Sequence, residues 1–178
     1  MSKVMKLITA FSFMITIITA ILFYFYHKDI YLSFAITFGT IFYHFGIRLF
    51  VGMCYNAKMK NRADYTKKWY QIHSWERKLY QFLKVKQWKN KMPTYDPEIF
   101  SIKEHTWSEI AQAMCQSELV HETNIILSFV PIIASKWFGS FYVFFITSIC
   151  GAIFDLLFVI MQRYNRERVV RITLRKRH

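Results

Sequence analysis

Four long apolar stretches, separated by charged or turn-forming residues, organise the chain. The first, residues 7–26, is an uncharged run of twenty preceded by Lys3 and Lys6. As an α-helix rising ~1.5 Å per residue, it matches the ~30 Å hydrocarbon core of a bilayer. A secretory signal also begins with basic residues before an apolar run, but this run is too long and ends without a small-x-small cleavage site. A tight His27-Lys28-Asp29 turn leads into the second stretch, residues 30–55, which contains His44 and Arg48. The third, residues 118–135, contains Pro131, and the fourth, residues 137–162, is interrupted only by Asp155. Short turns within each pair predict two helical hairpins. The expected fold is therefore all-α: residues 1–178 form a single membrane-embedded domain with four transmembrane helices and a cytoplasmic loop over 56–117.

That loop has its own pattern. Between Trp69 and Trp88, aromatic residues alternate with Arg77, Lys78, Lys84 and Lys86. Trp69, Ile72, Leu79, Tyr80 and Leu83 recur at helical spacing, which predicts an amphipathic helix. Such a helix lies either in the membrane interface or against the protein's own cytosolic face. Pro93 and Pro97 end it. Thr106-Trp107-Ser108-Glu109 then has the T-x-x-E form of a capping box and predicts the start of another helix.

Composition alters the picture only where charge is concerned. The chain is 54% hydrophobic yet carries a net charge of +13, which excludes disorder and requires that charge and apolar surface be segregated. Cys54, Cys115 and Cys150 are scattered without metal-ligand or disulfide-framework spacing. The basic residues flank the apolar spans, so membrane topology accounts for them and no nucleic-acid partner is implied. Placing both ends of the chain and the middle loop in the cytoplasm puts 21 of the 24 Lys and Arg inside and two outside. The expected location is the cell membrane, multi-pass, with both termini cytoplasmic.

The ionisable residues within the spans point to chemistry, because each is costly in lipid. Counted from the outer end of its span, His44 lies ~21 Å and Arg48 ~27 Å down, Glu122 ~20 Å, His121 ~21 Å, Glu118 ~26 Å and Asp155 ~27 Å. All six fall in the cytoplasmic third. Glu118, His121 and Glu122 share one helical face, so a carboxylate at Glu118 or Glu122 is expected to orient His121 as a general base. Arg48 is expected to pair with Glu118, Glu122 or Asp155, and the alternative to a catalytic role is that these groups only tie two helices together. Glu-x-x-His occurs in di-iron sites as well, but the set is incomplete here, with only the reversed His73-x-x-Glu76 as a second element. The last span exits as Gln162-Arg163-Tyr164-Asn165-Arg166, whose side chains all donate hydrogen bonds to phosphate or carboxylate. Arg168, Arg171, Arg175, Lys176 and Arg177 then form a basic anchor.

Three motifs together, Trp88-Lys89-x-Lys91, Glu118-Leu119-x-His121 and the Gln162–Arg166 exit, resemble the glycosyl-4,4'-diaponeurosporenoate acyltransferase family. The resemblance runs from about Trp69 onward. It implies a small membrane enzyme of carotenoid biosynthesis that esterifies a sugar hydroxyl of a carotenoid glycoside with a fatty acyl group. The chain departs from the family pattern at Glu167, where proline is usual, and at Glu122.

The residues and the resemblance converge on a membrane acyltransferase that needs no cofactor or metal. Its partners are a fatty acyl donor, such as acyl-CoA or a similar thioester, a lipid-soluble hydroxyl acceptor and anionic membrane lipid. His121 deprotonates the acceptor with Glu118 or Glu122 orienting it; Arg48 or Arg163 stabilises the oxyanion or holds donor phosphates. His44, Asp155, Tyr164, Asn165 and Arg166 complete the expected substrate-binding set. Two other classes fit the same residues: a metal-dependent membrane oxidoreductase using His44, His73, His105 and His121, and a non-catalytic scaffold binding anionic lipid. Reporter fusions after Tyr55 and Ser117 should read cytoplasm and those at Lys28 and Lys136 outside; a cytoplasmic Lys136 would overturn the hairpin pairing.

Overall fold

The structure, a computed structural model, describes residues 2–175; Lys176 and Arg177 of the expected basic anchor lie outside them, as do Met1 and His178. Among the described residues there are helices and no strands: α1 (Ser2–Tyr26), α2 (Asp29–Met59), α3 (Ser74–Phe82), α4 (Val85–Trp88), α5 (Trp107–Leu127), α6 (Pro131–Phe138) and α7 (Phe141–Arg175). Three helical stretches are long and apolar enough to cross a membrane, Lys3–Tyr26, Asp29–Met59 and Phe141–Arg175.

The expected third span is not one helix. α5 begins at Trp107, where Thr106 and Glu109 close the capping box: the Thr106 amide donates to Glu109 Oε2 at 2.8 Å and the Glu109 amide to Thr106 Oγ1 at 3.3 Å. It stops at Leu127 because Pro131, four residues on, has no N–H to continue the ladder. The amides of Phe129 and Val130 turn instead to carbonyls three residues back, and Pro131 opens α6. The next turn falls at Gly139 and Ser140, both with positive φ, and not at Lys136. α7 also overruns its expected end at Gln162. Its 35 residues carry no proline, and Glu167 supports the last turns by accepting from Arg171 at 2.5 Å.

The contacts divide the chain into two units, Met1–Gly52 with Asn124–Ile153, and Met53–Thr123 with Phe154–His178. The first is apolar outside and polar inside. Leu7, Phe11, Ile18, Ile126, Tyr142 and Ile146 are exposed, while Ser12, Thr19, Thr40, Asn124, Ser128 and Ser148 are buried. That inversion suits a hydrocarbon solvent, in which packing and internal hydrogen bonds hold helices together. α1 and α2 approach closely at small residues: a Cβ added at Gly39 would lie 3.5 Å from Thr16, and one at Gly46 3.7 Å from Thr9. The Thr9 and Thr16 hydroxyls are satisfied by carbonyls four residues back.

The second unit has an apolar core of Ile110, Ala111, Met114 and Val169, with Phe100, Trp107 and Val170 against it. A neighbouring cluster joins Ala63, Tyr70 and Cys115. α3 is inverted in the opposite sense to a soluble surface helix. Glu76 and Tyr80 face inward, while Trp75, Leu79 and Phe82, spaced four and three residues apart, face out, Phe82 at 82% exposure. Tyr80, expected on the amphipathic face, is instead buried, and its hydroxyl donates to Glu76 at 2.8 Å.

Gly151 is the tightest glycine of the first unit, since a Cβ there would sit 3.1 Å from Arg48 Nη2, 3.2 Å from His44 Nδ1 and 3.3 Å from Ser128 Oγ. Gly151→Ala should therefore lower thermal stability in detergent by about 1–3 kcal/mol. Gly52→Ala, where nothing lies within 4 Å, should be neutral or stabilising by up to ~1 kcal/mol. Equal effects at both positions would contradict this packing.

Candidate functional site

The site is built on the facing stripes of α5 and α7. Along α7, Ser148, Ala152, Asp155, Val159, Gln162, Arg166, Val169 and Thr173 are all buried, at alternating steps of four and three residues. This is the spacing of a coiled-coil seam, but five of its eight positions are polar, so hydropathy alone conceals it. On α5 the corresponding buried stripe includes Ala111, Met114 and Glu118, with half-buried His121 next.

Glu118 is 0% exposed and accepts from two arginines. Arg163 Nη1 donates to its Oε1 at 2.5 Å, and Arg166 Nη1 donates to its Oε2. Arg163 grips Glu76 through Nε at 2.8 Å and Nη2 at 2.9 Å, and also donates to the carbonyls of Trp69 and Gln71. Its whole donor fork is thereby engaged inside the protein. Arg166 donates to the Tyr70 carbonyl at 2.8 Å and lies over the Tyr70 ring at 5.0 Å. Burial alone would raise the Glu76 carboxyl, but Arg163, the Tyr80 hydroxyl and the His73 amide outweigh it and hold Glu76 below the ordinary glutamate value. Burial pushes the Tyr70 phenol up to about 12.

The remaining exit residues are engaged in the same way. Gln162 Nε2 donates to Ser117 Oγ at 3.1 Å, Asn165 Oδ1 accepts from Lys89 Nζ at 2.6 Å, and Tyr164 packs edge-on against Tyr80. This pentapeptide fastens the 56–117 loop to α5 and α7. His73-x-x-Glu76, which resembled half of a metal motif, is the start of α3: the His73 amide donates to Glu76 Oε1 at 3.1 Å. Among the described residues, no three His, Cys, Asp or Glu side chains are grouped to hold a metal ion.

His121 is oriented by a carboxylate, but by one on another helix. Its Nδ1 lies 2.8 Å from Asp155 Oδ1, and its ring stacks on Phe158 at 4.6 Å and 9°. Asp155 is fully buried, whereas the His121 side chain is 20% exposed. The expectation that Glu118 or Glu122 orients His121 does not match this geometry. Glu118 is engaged by the arginines, and Glu122 accepts from Trp69 Nε1 at 3.2 Å. One helical face holds neighbours at similar distances, and only the register of α7 decides which carboxylate meets the ring.

His44 and Arg48 belong to the first unit. There Arg48 Nη1 donates to the His44 carbonyl at 2.5 Å, and Nη2 to the Gly151 carbonyl at 3.0 Å and Ser128 Oγ at 3.4 Å.

The family model for glycosyl-4,4'-diaponeurosporenoate acyltransferase matches residues 66–175. The chain belongs to this acyltransferase family. The family match contains the whole Glu76, Glu118, His121, Asp155, Arg163 and Arg166 constellation, while His44 and Arg48 precede it. No curated protein and no solved structure matches the chain.

Removing the charge of Glu118 leaves two buried guanidinium groups facing one another. Glu118→Gln should cost about 3–5 kcal/mol of stability, read as a lower melting temperature in detergent. Arg77→Ala, which removes an exposed partner of Glu167, should cost no more than about 1 kcal/mol. Acid should erode the wild type too: a carboxyl held low in the fold, like Glu76, stabilises above its unfolded pKa, and that contribution disappears as pH falls through the folded value.

Proposed function

We propose that the protein transfers a fatty acyl group from a thioester to a hydroxyl of a lipid-soluble acceptor, such as a carotenoid glycoside, at the cytoplasmic side of the cell membrane. The observation that carries this reading is the His121–Asp155 pair, which lies within the acyltransferase-matched segment. A carboxylate only accepts hydrogen bonds, so Nδ1 carries the proton and Nε2 of the neutral ring is left to act as a base. In the reaction His121 takes the proton of the acceptor hydroxyl as its oxygen attacks the thioester carbonyl. The new C–O bond forms, the C–S bond breaks, and the departing sulfur takes up the proton from His121. Buried Asp155 holds the ring in the required tautomer and stabilises the imidazolium. Arg163, with all its donors engaged, is a framework residue in this scheme and not an oxyanion ligand.

Two features support this membrane placement. Residues 118–127 of α5 and the eight residues of α6 add up to ~27 Å of helix, which supports reading a fourth crossing, with both ends inside, beside the three apolar helices. α3 turns Trp75, Leu79 and Phe82 outward beside Arg77 and Lys78, which suits a helix lying in an anionic interface. The loop is then held against the bilayer where a lipid acceptor arrives.

His121→Gln and Asp155→Asn should each fold and insert but lower labelled-acyl incorporation into extracted lipid by about 10²-fold or more. His44→Gln should lose less. If His121→Gln retains near-normal transfer while His44→Gln abolishes it, the base is on the wrong helix.

A further inference from the structure

A groove of 370 Å³ opens in the second unit between the start of α5 and the end of α7. Phe100, Trp107, Ile110, Met114, Val169 and Ile172 supply an apolar floor. Lys89, Asn165 and Arg168 supply its polar lining, and none of the groove's lining residues is acidic. We infer that this groove binds the acyl donor, an amphiphile with a phosphate-bearing thiol leaving group, its phosphate held by Lys89 and Arg168; the inference rests on the reading above.

Three observations support it. The groove pairs cationic and apolar surface, which suits an anionic amphiphile. Lys89 and Arg168 both line the groove, and the Lys89 amine is held below the ordinary lysine value by burial first and then by the Arg168 guanidinium. An anion between two cations relieves that repulsion. Finally, Arg168 lies thirteen residues beyond Asp155, the partner of His121, on the same helix, or ~20 Å along its axis. An extended pantetheine arm covers that distance, so a phosphate at the groove leaves the thioester within reach of the base. A membrane phospholipid has the same phosphate and acyl chemistry but no arm that would carry a reactive carbonyl to His121. This assignment also reassigns the phosphate role expected of Arg163 and Arg166, whose guanidinium groups are turned to Glu76 and Glu118.

The test uses the full chain in neutral-lipid nanodiscs with radiolabelled palmitoyl-coenzyme A as the probe. Lys89→Gln with Arg168→Gln should weaken binding about tenfold or more and raise the donor KM to match, with kcat and the acceptor KM little changed. Lys89→Arg with Arg168→Lys keeps both charges and should stay near wild type; equal losses in both pairs would show packing at work and overturn the assignment. Unchanged binding in the glutamine pair overturns it as well. So does displacement of palmitoyl-coenzyme A by phosphatidylglycerol at comparable concentration, which would mark a phospholipid site. Binding that needs the two cations while no acyl group is transferred would sink the proposed reaction and leave the groove standing. Transfer with an unchanged donor KM would do the reverse.

Discussion

A fully buried carboxylate between two arginines is the constraint on which the second unit depends. Glu118 takes Arg163 on one oxygen and Arg166 on the other. Each arginine then reaches onward to the backbone of residues 69–71, and Arg163 to Glu76 at the start of α3. Burying three charges is expensive unless every donor and acceptor is satisfied. Here the surplus positive charge is met by a second carboxylate and by carbonyls of the loop. The loop is thus fixed to α5 and α7 by these ion pairs together with the apolar contacts of Tyr70 and Phe100.

The consequence for chemistry is a division of labour among residues that look alike in sequence. Glu118, Glu122 and Asp155 are all carboxylates near a histidine, and Arg163 and Arg166 are both cations at a helix exit. Geometry assigns Glu118 and the two arginines to the frame, and Asp155 to His121. A base supported in this way is held by packing against Phe158 on one side and by a dry carboxylate at Nδ1. The outward aromatic face of α3 and the cation-lined groove flank the same unit.

Much of this was legible in the sequence, and the remainder was hidden for physical reasons. Apolar runs located α1 and α2 to within a few residues at their loop ends, and Thr106–Glu109 marked the start of α5, because hydropathy and capping are local properties. Glu118, His121, Asp155 and the Gln162–Arg166 exit stood out because ionisable groups are costly in lipid. Their partners did not, since pairing across antiparallel helices depends on register. The α7 seam was concealed because Ser148, Asp155, Gln162 and Arg166 occupy positions where apolar residues are expected. Reading those polar residues at steps of four and three, rather than averaging hydropathy, would have revealed it. Likewise Glu76 read as a possible metal ligand, though its spacing from His73 is that of a helix cap.

The central claim is that Asp155 holds His121 with the proton on Nδ1, leaving Nε2 as the base. Nitrogen NMR of the histidine-labelled protein in nanodiscs reads that tautomer directly, with His121→Gln assigning the signal. The wild-type His121 ring should be neutral and protonated at Nδ1, a preference lost in Asp155→Asn while Glu118-dependent folding is retained. A His121 ring protonated at Nε2 in the wild type, or a tautomer indifferent to Asp155→Asn, would contradict it.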